Sequence, residues 1–499
     1  MSEDSPPAAP KPSSSTGKLR SSAVFRGLRW SVGSSASTQI IRLVASLYLA
    51  REFLSPEDFG LVAMAGIVLN FLRVLRDMGT VRAMVTREHL TDDLVHTVFW
   101  LNLGVGAVLC LSVALLAGPA SYVLGDPKVQ MVLVVMSSGL LMTALESVPR
   151  AVLQHRLDFQ RIAIAEGVSL LVFLGTAFGL AIKDYKVWAL VSAMVAGQFA
   201  MMTTMWILSK YWPRVFFSRE RFKEIFAFSA NLTLFNILNY ALLNADRLLV
   251  GNLLGTAQLG IYSWGKRLFE VPMNAIVPRV FSVLFPTLAR TGSDEKIAQG
   301  TIRAACGIAL VIFPMVGGIG AVADVFVSGV LKAKWAPLAP ILPVLCFRYV
   351  LESSMRIGTV LYSVRERTDL QLYWGLGSGA VFLASYFIGM KWGLVGVAAA
   401  QVGMMVVLFY PGLRLPLRLI GLGPMTIVRA LFPFALATIV MAAGVRGLIT
   451  LMNHYEIRES VTLGCAISLG IVVYAVTLLA LRPPALQDLA KALSRSKSG

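Results

Sequence analysis

Residues 131–145 read MVLVVMSSGLLMTAL, an apolar run interrupted only by Ser-Ser-Gly and one threonine. Only α-helices and closed β-barrels satisfy all of their backbone hydrogen bonds inside a lipid bilayer. A barrel strand alternates apolar and polar side chains over about 10 residues, and this run does not alternate. The stretch therefore predicts a transmembrane α-helix.

The rest of the 499-residue chain has the same character, with 56% hydrophobic residues, 14% charged residues and a mean hydropathy of +0.71. Soluble domains carry about 25% charged residues. A helix needs about 20 mostly apolar residues to cross a bilayer, and the sequence predicts an all-α membrane protein with about fourteen such helices. The predicted spans are 30–50, 59–79, 94–117, 129–148, 160–182, 187–208, 225–245, 259–285, 298–327, 336–361, 371–390, 393–412, 425–447 and 460–481.

The number of lysine and arginine residues is alternately high and low from one predicted loop to the next. If both termini are cytoplasmic, the cytoplasmic side holds 26 basic residues and the opposite side 9. Because positive charge concentrates on the cytoplasmic side, this bias predicts a multi-pass protein of the bacterial inner membrane with both termini cytoplasmic. It also explains the net charge of +18 without a nucleic-acid partner.

Three pairs of segments resemble each other at nearly constant separation along the chain. They are FLSPEDFGLV (53–62) with LLGTAQLGIY (253–262), RLDFQ (156–160) with RTDLQ (367–371), and ALVSAMVAGQ (189–198) with GLVGVAAAQV (393–402). The common order predicts duplication of a six-helix unit, and many transporters with duplicated halves bind their cargo between them.

The domain organisation follows from this duplication. Residues 1–29 are polar, include PPAAPKPSSS and lack the apolar core of a signal peptide, so they predict a disordered basic cytoplasmic tail. The other predicted units are an N-terminal lobe of helices 1–6 (30–208), a cytoplasmic linker (209–224), a C-terminal lobe of helices 7–12 (225–412), two extra helices (425–481) and a cytoplasmic tail (482–499).

Three motifs carry a resemblance to a known family. They are YLAREFLSPEDFGLVAMA (48–65), LQHRLDFQRIAIAE (153–166) and NADRLLVGNLLGTAQLGIYSWGKRL (244–268). These motifs are similar to those of the polysaccharide flippases of the multidrug/oligosaccharidyl-lipid/polysaccharide (MOP) superfamily, of the lipopolysaccharide and exopolysaccharide exporter type. The resemblance extends in order over roughly residues 20–480.

The resemblance implies a carrier that moves an undecaprenyl-pyrophosphate-linked oligosaccharide repeat unit from the cytoplasmic to the periplasmic leaflet. Two lobes would rock around a central cavity, in a monomer that uses no cofactor. The polymerase and glycosyltransferases of the same pathway would be its partners, beside membrane lipids. Such a protein is needed because a sugar chain and a pyrophosphate cannot cross about 30 Å of hydrocarbon unaided.

An anionic cargo requires cations in the cavity, and a charge at the bilayer centre costs at least about 2.5–3.5 kcal/mol, so it rarely faces lipid. The candidate cations are Arg42 in helix 1, Arg73 in helix 2, Lys266 and Arg267 in helix 8, and Arg348 in helix 10. Cavity cations on helices 1, 2 and 8 are what the resemblance implies. Three alternatives stay open. Arg42 could form a structural ion pair, Lys266 could pair with Glu270 one turn on, and Arg73 could be a topogenic residue at a helix end.

Acidic residues at membrane depth are candidates for ion coupling or for structural pairs. They are Glu166, Asp246, Glu270, Asp324 and Glu352. Glu352 stands four residues from both Arg348 and Arg356, a spacing that favours a structural ion pair. Asp246 and Arg247 follow the predicted helix 7 and resemble the Asp-Arg signature of the family, or pair to fix the end of that helix.

Other chemistries find little support in the sequence. The four cysteines and four histidines have no metal-ligand spacing, and no G-x-x-x-x-G-K-[ST] loop for ATP is present. A glycan polymerase or ligase would need a large hydrophilic loop, whereas the longest predicted loop has about 15 residues. A cation-coupled drug exporter of the same superfamily would need acids to outnumber bases in the central spans, and they do not.

Overall fold

The computed structural model describes residues 37–77, 84, 91–289 and 293–483, and these contain helices and turns but no β-strand. The predicted tail 1–29 and almost all of the predicted tail 482–499 lie outside the described residues. The chain is therefore all-helical over the part that the structure describes, as the sequence predicts.

The described residues of the N-terminal half form six long helices, each connected to the next by a short turn or loop where the connection is described. They are α1 (37–52), α2 (Pro56–Asp77), α3 (Asp92–Val123), α4 (Val129–His155), α5 (Phe159–Ala181) and α6 (Val187–Ser209).

The C-terminal half continues with longer helices. They are α7 (Arg219–Leu254), α8 (Thr256–Ala289), α9 (Asp294–Ala321), α10 in two segments (Ile341–Met355 and Ile357–Val364), α11 (Thr368–Gly389), α12 (Gly393–Arg418), α13 (Pro424–His454) and α14 (Glu459–Leu481).

Helix α7 departs from the sequence prediction at both ends. It begins at Arg219, inside the predicted linker 209–224, with the acidic Glu220 in its first turn, where the helix dipole favours negative charge. It runs on to Leu254, so Asp246 and Arg247 lie within the helix and not after its end. The helix continues through these charges because partners on neighbouring helices neutralise them.

The region predicted as helices 9 and 10 is also more broken than predicted. Helix α9 ends at Ala321 after a glycine-rich stretch that weakens the helix. A π-helical turn (Val327–Leu331) and a 3₁₀ turn (Ala333–Leu338) then connect it to α10. Spans 298–327 and 336–361 therefore do not exist as two continuous helices.

Nine segments among the described residues are long and apolar enough to cross a membrane, one of them the 51-residue stretch Thr368–Arg418 that covers α11 and α12. Helices α8 and α10 are not among them; the two segments of α10 have 15 and 8 residues, too few to cross a membrane alone. The chain is a multi-pass membrane protein, and the count of fourteen spans stays a prediction.

Helices α2 and α8 join the two halves. Within the N-terminal half, α3 packs on α4 and α5 on α6, whereas α2 packs against α8 and α7 of the C-terminal half. One apolar core extends across this junction, from Leu49 and Met64 to Tyr262, Trp264 and Trp335.

The α2–α8 contact is made by two glycines at matching positions of the first repeat. A Cβ added at Gly60 would overlap the carbonyl oxygen of Thr256, and one added at Gly260 would overlap that of Pro56. The clash is reciprocal because the two positions are related by the 200-residue repeat offset. Only glycine allows these backbones to approach so closely.

Three polar contacts close the same end of the junction. They are Glu52 with Lys332, Arg51 with the carbonyls of residues 329 and 330, and Trp335 with Ala50. We call these three contacts the latch. The Lys332 ammonium lies 2.5 Å from Glu52, and Arg51 donates to the carbonyl of Gly329 at 2.9 Å. Trp335 donates its indole N–H to the Ala50 carbonyl at 3.0 Å. Hydrogen bonds from Lys332 and Arg51 lower the pKa of the Glu52 carboxyl, so the latch keeps its charge until the pH falls through that lowered pKa.

Candidate functional site

A cavity of about 190 Å³ lies between the two halves, just below the glycine contact. Arg42 of α1 and Arg267 of α8 both line it, together with Phe173 and Trp264. Arg42 donates to the Ser169 hydroxyl at 3.2 Å and lies 5.3 Å from the centre of the Phe173 ring. We call this space the central cavity.

The electrostatics of the central cavity favour an anion. The guanidinium groups of Arg42 and Arg267 are close enough to repel each other. Over the part of the chain that the structure describes, neither has a carboxylate within ion-pair distance. The buried Nε of Arg42, the Ser263 hydroxyl and the Trp264 indole N–H also have no hydrogen-bond partner there. Buried donors without acceptors cost about 1–3 kcal/mol each. An anionic ligand would accept hydrogen bonds from these donors and would also reduce the repulsion between the two arginines.

A second polar space of about 390 Å³ lies inside the N-terminal half, on the other side of Arg42. Its main charged group is Arg150, whose guanidinium lies 2.8 Å from Glu146 and 3.8 Å from Glu166. Gln198 donates to Glu146 at 2.6 Å. The predicted acid Glu166 is therefore in an ionic network behind Arg42.

Lys266 and Asp246 form a buried ion pair in the C-terminal half. The ammonium of Lys266 lies 2.6 Å from Asp246, and the two side chains are 4% and 2% exposed. Asp246 also accepts a hydrogen bond from the Tyr262 hydroxyl at 2.6 Å, and the Gln401 amide lies beside both. The predicted pairing of Lys266 with Glu270 is the weaker contact, at 3.9 Å.

Glu270 and Glu352 are each held by arginines. One Arg247 nitrogen lies 2.7 Å from both carboxylate oxygens of Glu270. Glu352 pairs with Arg348 at 3.2 Å and with Arg356 at 2.8 Å, the contacts that the four-residue spacing predicts. Asp246, Arg348 and Glu352 also line a cavity of about 470 Å³ among α7, α10, α11 and α12.

The remaining predicted residues lie apart from the central cavity. Arg73 donates to Asn70 one turn earlier on α2, at 3.2 Å. Asp324 lies in a short turn past the end of α9, with an exposed side chain that contacts Arg446, and not at the depth its predicted span implied. Of the five predicted cations, the structure thus brings Arg42 and Arg267 together.

Several polar residues of these networks were not predicted from the sequence, among them Glu146, Tyr262 and Gln401. A signal for Gln401 existed in the third repeat, since Gln198 and Gln401 stand in its matching segments and each contacts a buried acid. Tyr262 ends the matching segment of the first repeat, at 253–262. For Glu146 the sequence carries no comparable signal, because its importance depends on which side chains meet it in space.

Comparison with known proteins agrees with this architecture. A family described as "Polysaccharide biosynthesis protein" matches residues 48–340. The succinoglycan biosynthesis transport protein ExoT of Rhizobium meliloti (strain 1021) is 28% identical over 66% of this chain and 67% of its own.

Two solved structures share the fold. The first is the lipid II flippase MurJ in an inward closed conformation, with 13% identity and a TM-score of 0.73. The match covers 99% of that chain and 91% of this one. The second is an inward-facing multidrug resistance MATE transporter of the MOP superfamily, with 14% identity and a TM-score of 0.62. The match covers 96% of that chain and 79% of this one. The predicted family is confirmed, because the matched segment is more than half of the sequence: the chain belongs to the polysaccharide biosynthesis protein family.

Proposed function

We propose that this protein is a flippase of the bacterial inner membrane that carries lipid-linked oligosaccharide repeat units to the periplasmic leaflet. Its cargo is an undecaprenyl-pyrophosphate-linked unit for exopolysaccharide or lipopolysaccharide synthesis. The names of its relative ExoT, a succinoglycan biosynthesis transport protein, and of the lipid II flippase that shares its fold support this proposal.

One observation carries the proposal, namely the two arginines that face one cavity without a carboxylate partner among the described residues. Two guanidinium groups match a pyrophosphate in charge, and each offers a fork of N–H donors to phosphate oxygens. Arg42 comes from α1 and Arg267 from α8, so a bound pyrophosphate would connect the two halves. Cargo binding would then affect how the halves pack.

The architecture we propose is two six-helix lobes, α1–α6 and α7–α12, with α13 and α14 appended, fourteen spans in all. Both termini are cytoplasmic, so the Glu52–Lys332 latch is on the periplasmic side. Its contacts support a state in which the lobes are closed toward the periplasm and cargo enters from the cytoplasm. Release then requires the latch and the glycine contact to separate, as in alternating access.

Among the acids, Glu166 is the best candidate for ion coupling. It lies in the network behind Arg42, so an anion bound at Arg42 and a proton on Glu166 influence each other through Coulomb interaction. In this proposal Asp246, Glu270 and Glu352 are structural, since each pairs with a cation at 2.6–2.8 Å, whereas Arg150 lies 3.8 Å from Glu166.

The cation-coupled drug exporter is less well supported, because a positively charged drug would be repelled from a cavity that presents two arginines. The enzyme alternative is less well supported as well. Among the described residues the longest connection between helices covers 322–340, and its short helical turns are too small to form a catalytic domain.

Surface polysaccharide and lipid-linked oligosaccharide should be measured in a deletion strain with glycan assembly otherwise intact. We expect loss of surface polymer, with complete repeat units trapped on lipid at the cytoplasmic face. The wild-type gene should restore the polymer, and Arg42→Glu should not, although the protein reaches the membrane in equal amount. Truncated repeat units would instead identify a transferase, completed units left unpolymerised in the periplasm a polymerase, and an unchanged glycan profile a drug exporter.

A further inference from the structure

The cavity among α7, α10, α11 and α12, which we call the C-terminal cavity, is larger than the central cavity. At about 470 Å³ it falls within the roughly 300–1,000 Å³ of small-molecule sites in proteins. The two cavities share no lining residue. The anion site therefore does not account for the C-terminal cavity.

The wall of the C-terminal cavity combines aromatic rings with amides and charged groups. Trp374, Tyr362 and Tyr386 supply rings, and Asn239 and Gln371 supply amides. The two arginines of the wall both pair with Glu352, and Asp246 is the second acid of the wall, so its formal charges balance. This composition fits a ligand that is uncharged but rich in hydroxyl groups.

Some polar groups in this wall have hydrogen bonds still to make. The Tyr362 side chain is 3% exposed, yet its hydroxyl has no partner among the described residues. The Nε atoms of Arg348 and Arg356 are also buried without an acceptor there. Because buried polar groups are normally paired, the three atoms indicate a ligand that both donates and accepts.

We propose that the C-terminal cavity binds saccharide units of the cargo head group, an inference that rests on the proposed flippase function. A pyranose ring has an apolar C–H face that packs on an indole or phenol ring and a rim of hydroxyls for the amides and Tyr362. A polyprenyl chain would bury the same polar atoms without pairing them, which is unfavourable.

The position of the C-terminal cavity suits a cargo held by its pyrophosphate in the central cavity. Asp246 lies in its wall and pairs with Lys266, the neighbour of Arg267 on α8. The Asp246–Lys266 pair thus connects the walls of the two cavities. In the proposed complex one lipid-linked unit contacts both, with phosphate at Arg267 and sugar near Trp374.

Protection of single cysteines from N-ethylmaleimide tests this assignment in the full-length protein, with its four natural cysteines replaced. Gly375→Cys reports on the C-terminal cavity, where an added Cβ meets no atom within 4 Å, and Ser263→Cys reports on the central cavity. Gly377→Cys is the matched control, since it is equally free of contacts on α11 but lies outside the C-terminal cavity. The probes are undecaprenyl pyrophosphate and the lipid-linked repeat unit extracted from the native bacterium.

We expect the lipid-linked unit to slow labelling of Gly375→Cys and Ser263→Cys at least fivefold, and undecaprenyl pyrophosphate to protect Ser263→Cys alone. Adding Tyr362→Phe should weaken protection of Gly375→Cys about 2- to 10-fold, the loss of one hydrogen bond. Protection of Ser263→Cys without any at Gly375→Cys would overturn the saccharide site and leave the flippase intact. Equal protection of Gly375→Cys by undecaprenyl pyrophosphate would assign the cavity to the lipid chain. No protection at either position would contradict the flippase function as well.

Discussion

At the scale of single residues, Arg42 and Arg267 give the most direct test of the anion site. Arg42→Gln and Arg267→Gln should each lower transport about 10- to 100-fold, because a hydrogen bond to a charged group contributes about 1.5–3 kcal/mol. The lysine variants should retain part of the activity, since they keep the charge but lose the fork of donors. The measurement is surface polymer restored to the deletion strain, per amount of protein in the membrane.

Arg429→Gln is the matched control, since this arginine on α13 is exposed and lines none of the three cavities. It should transport as the wild type does. Full activity of Arg267→Gln would remove this residue from the site.

The Asp246–Lys266 pair makes a different prediction, about stability. Lys266→Met or Asp246→Leu alone leaves an uncompensated buried charge and should cost about 3–5 kcal/mol, whereas the double variant should recover most of that loss. The unfolding midpoint of the purified protein in detergent measures this. Additive losses, in which the double variant loses the sum of the two single losses, would show that Lys266 does not act through Asp246, and would favour its predicted role toward cargo.

The sequence was enough to predict which charged residues are candidates for the site, but it could not predict that two adjacent residues have different roles. Lys266 and Arg267 are adjacent in an apolar helix and look equivalent in the sequence. In a helix of 3.6 residues per turn, however, adjacent side chains point about 100° apart. One therefore reaches Asp246 inside the C-terminal half and the other the central cavity, a distinction that depends on how α8 packs against α7.

At the scale of helices, the glycine contact between α2 and α8 should control closure. Gly60→Ala and Gly260→Ala place a methyl group against a backbone carbonyl that cannot rotate away. Both variants should fold but should separate the two halves at the latch end, and transport should fall. The distance between spin labels at positions 57 and 332 should increase.

Gly66→Ala is the control on the same helix, because a Cβ at this position meets no atom within 4 Å. It should leave the label distance unchanged. An unchanged distance in Gly60→Ala as well would mean that the contact does not hold the halves together.

The helices themselves were largely predictable, and two of the exceptions have one cause. Runs such as 131–145 form helices because lipid leaves the backbone no other partner, and α4 includes that run. The prediction was wrong where charges interrupt the apolar pattern. It ended helix 7 before Asp246, although partners on α8 and α12 allow the helix to continue. It also missed the break in α10 at Arg356.

At the scale of the whole molecule, the duplication links the sequence to the transport cycle. Gly60 and Gly260 occupy equivalent positions of the repeat and meet each other at the junction. Because each half supplies the same surface to the contact, the halves can separate there without breaking either half internally. The latch adds one partly exposed ion pair, Glu52–Lys332, and an exposed pair of this kind is worth only about 0–1 kcal/mol.

Locking the latch should stop the cycle. In a chain without its natural cysteines, Glu52→Cys and Lys332→Cys can be joined by a bis-methanethiosulfonate reagent, since the native side chains meet at 2.5 Å across the two halves. The cross-link should abolish transport because cargo cannot leave toward the periplasm, and dithiothreitol should restore it.

The control pair is Glu57→Cys with Lys128→Cys, whose native side chains also meet, at 2.6 Å, but within the N-terminal half. Cross-linking that pair should leave transport intact, because the N-terminal half would move as one body. If the first cross-link also leaves transport intact, the halves do not separate at the latch, and cargo must leave by another route.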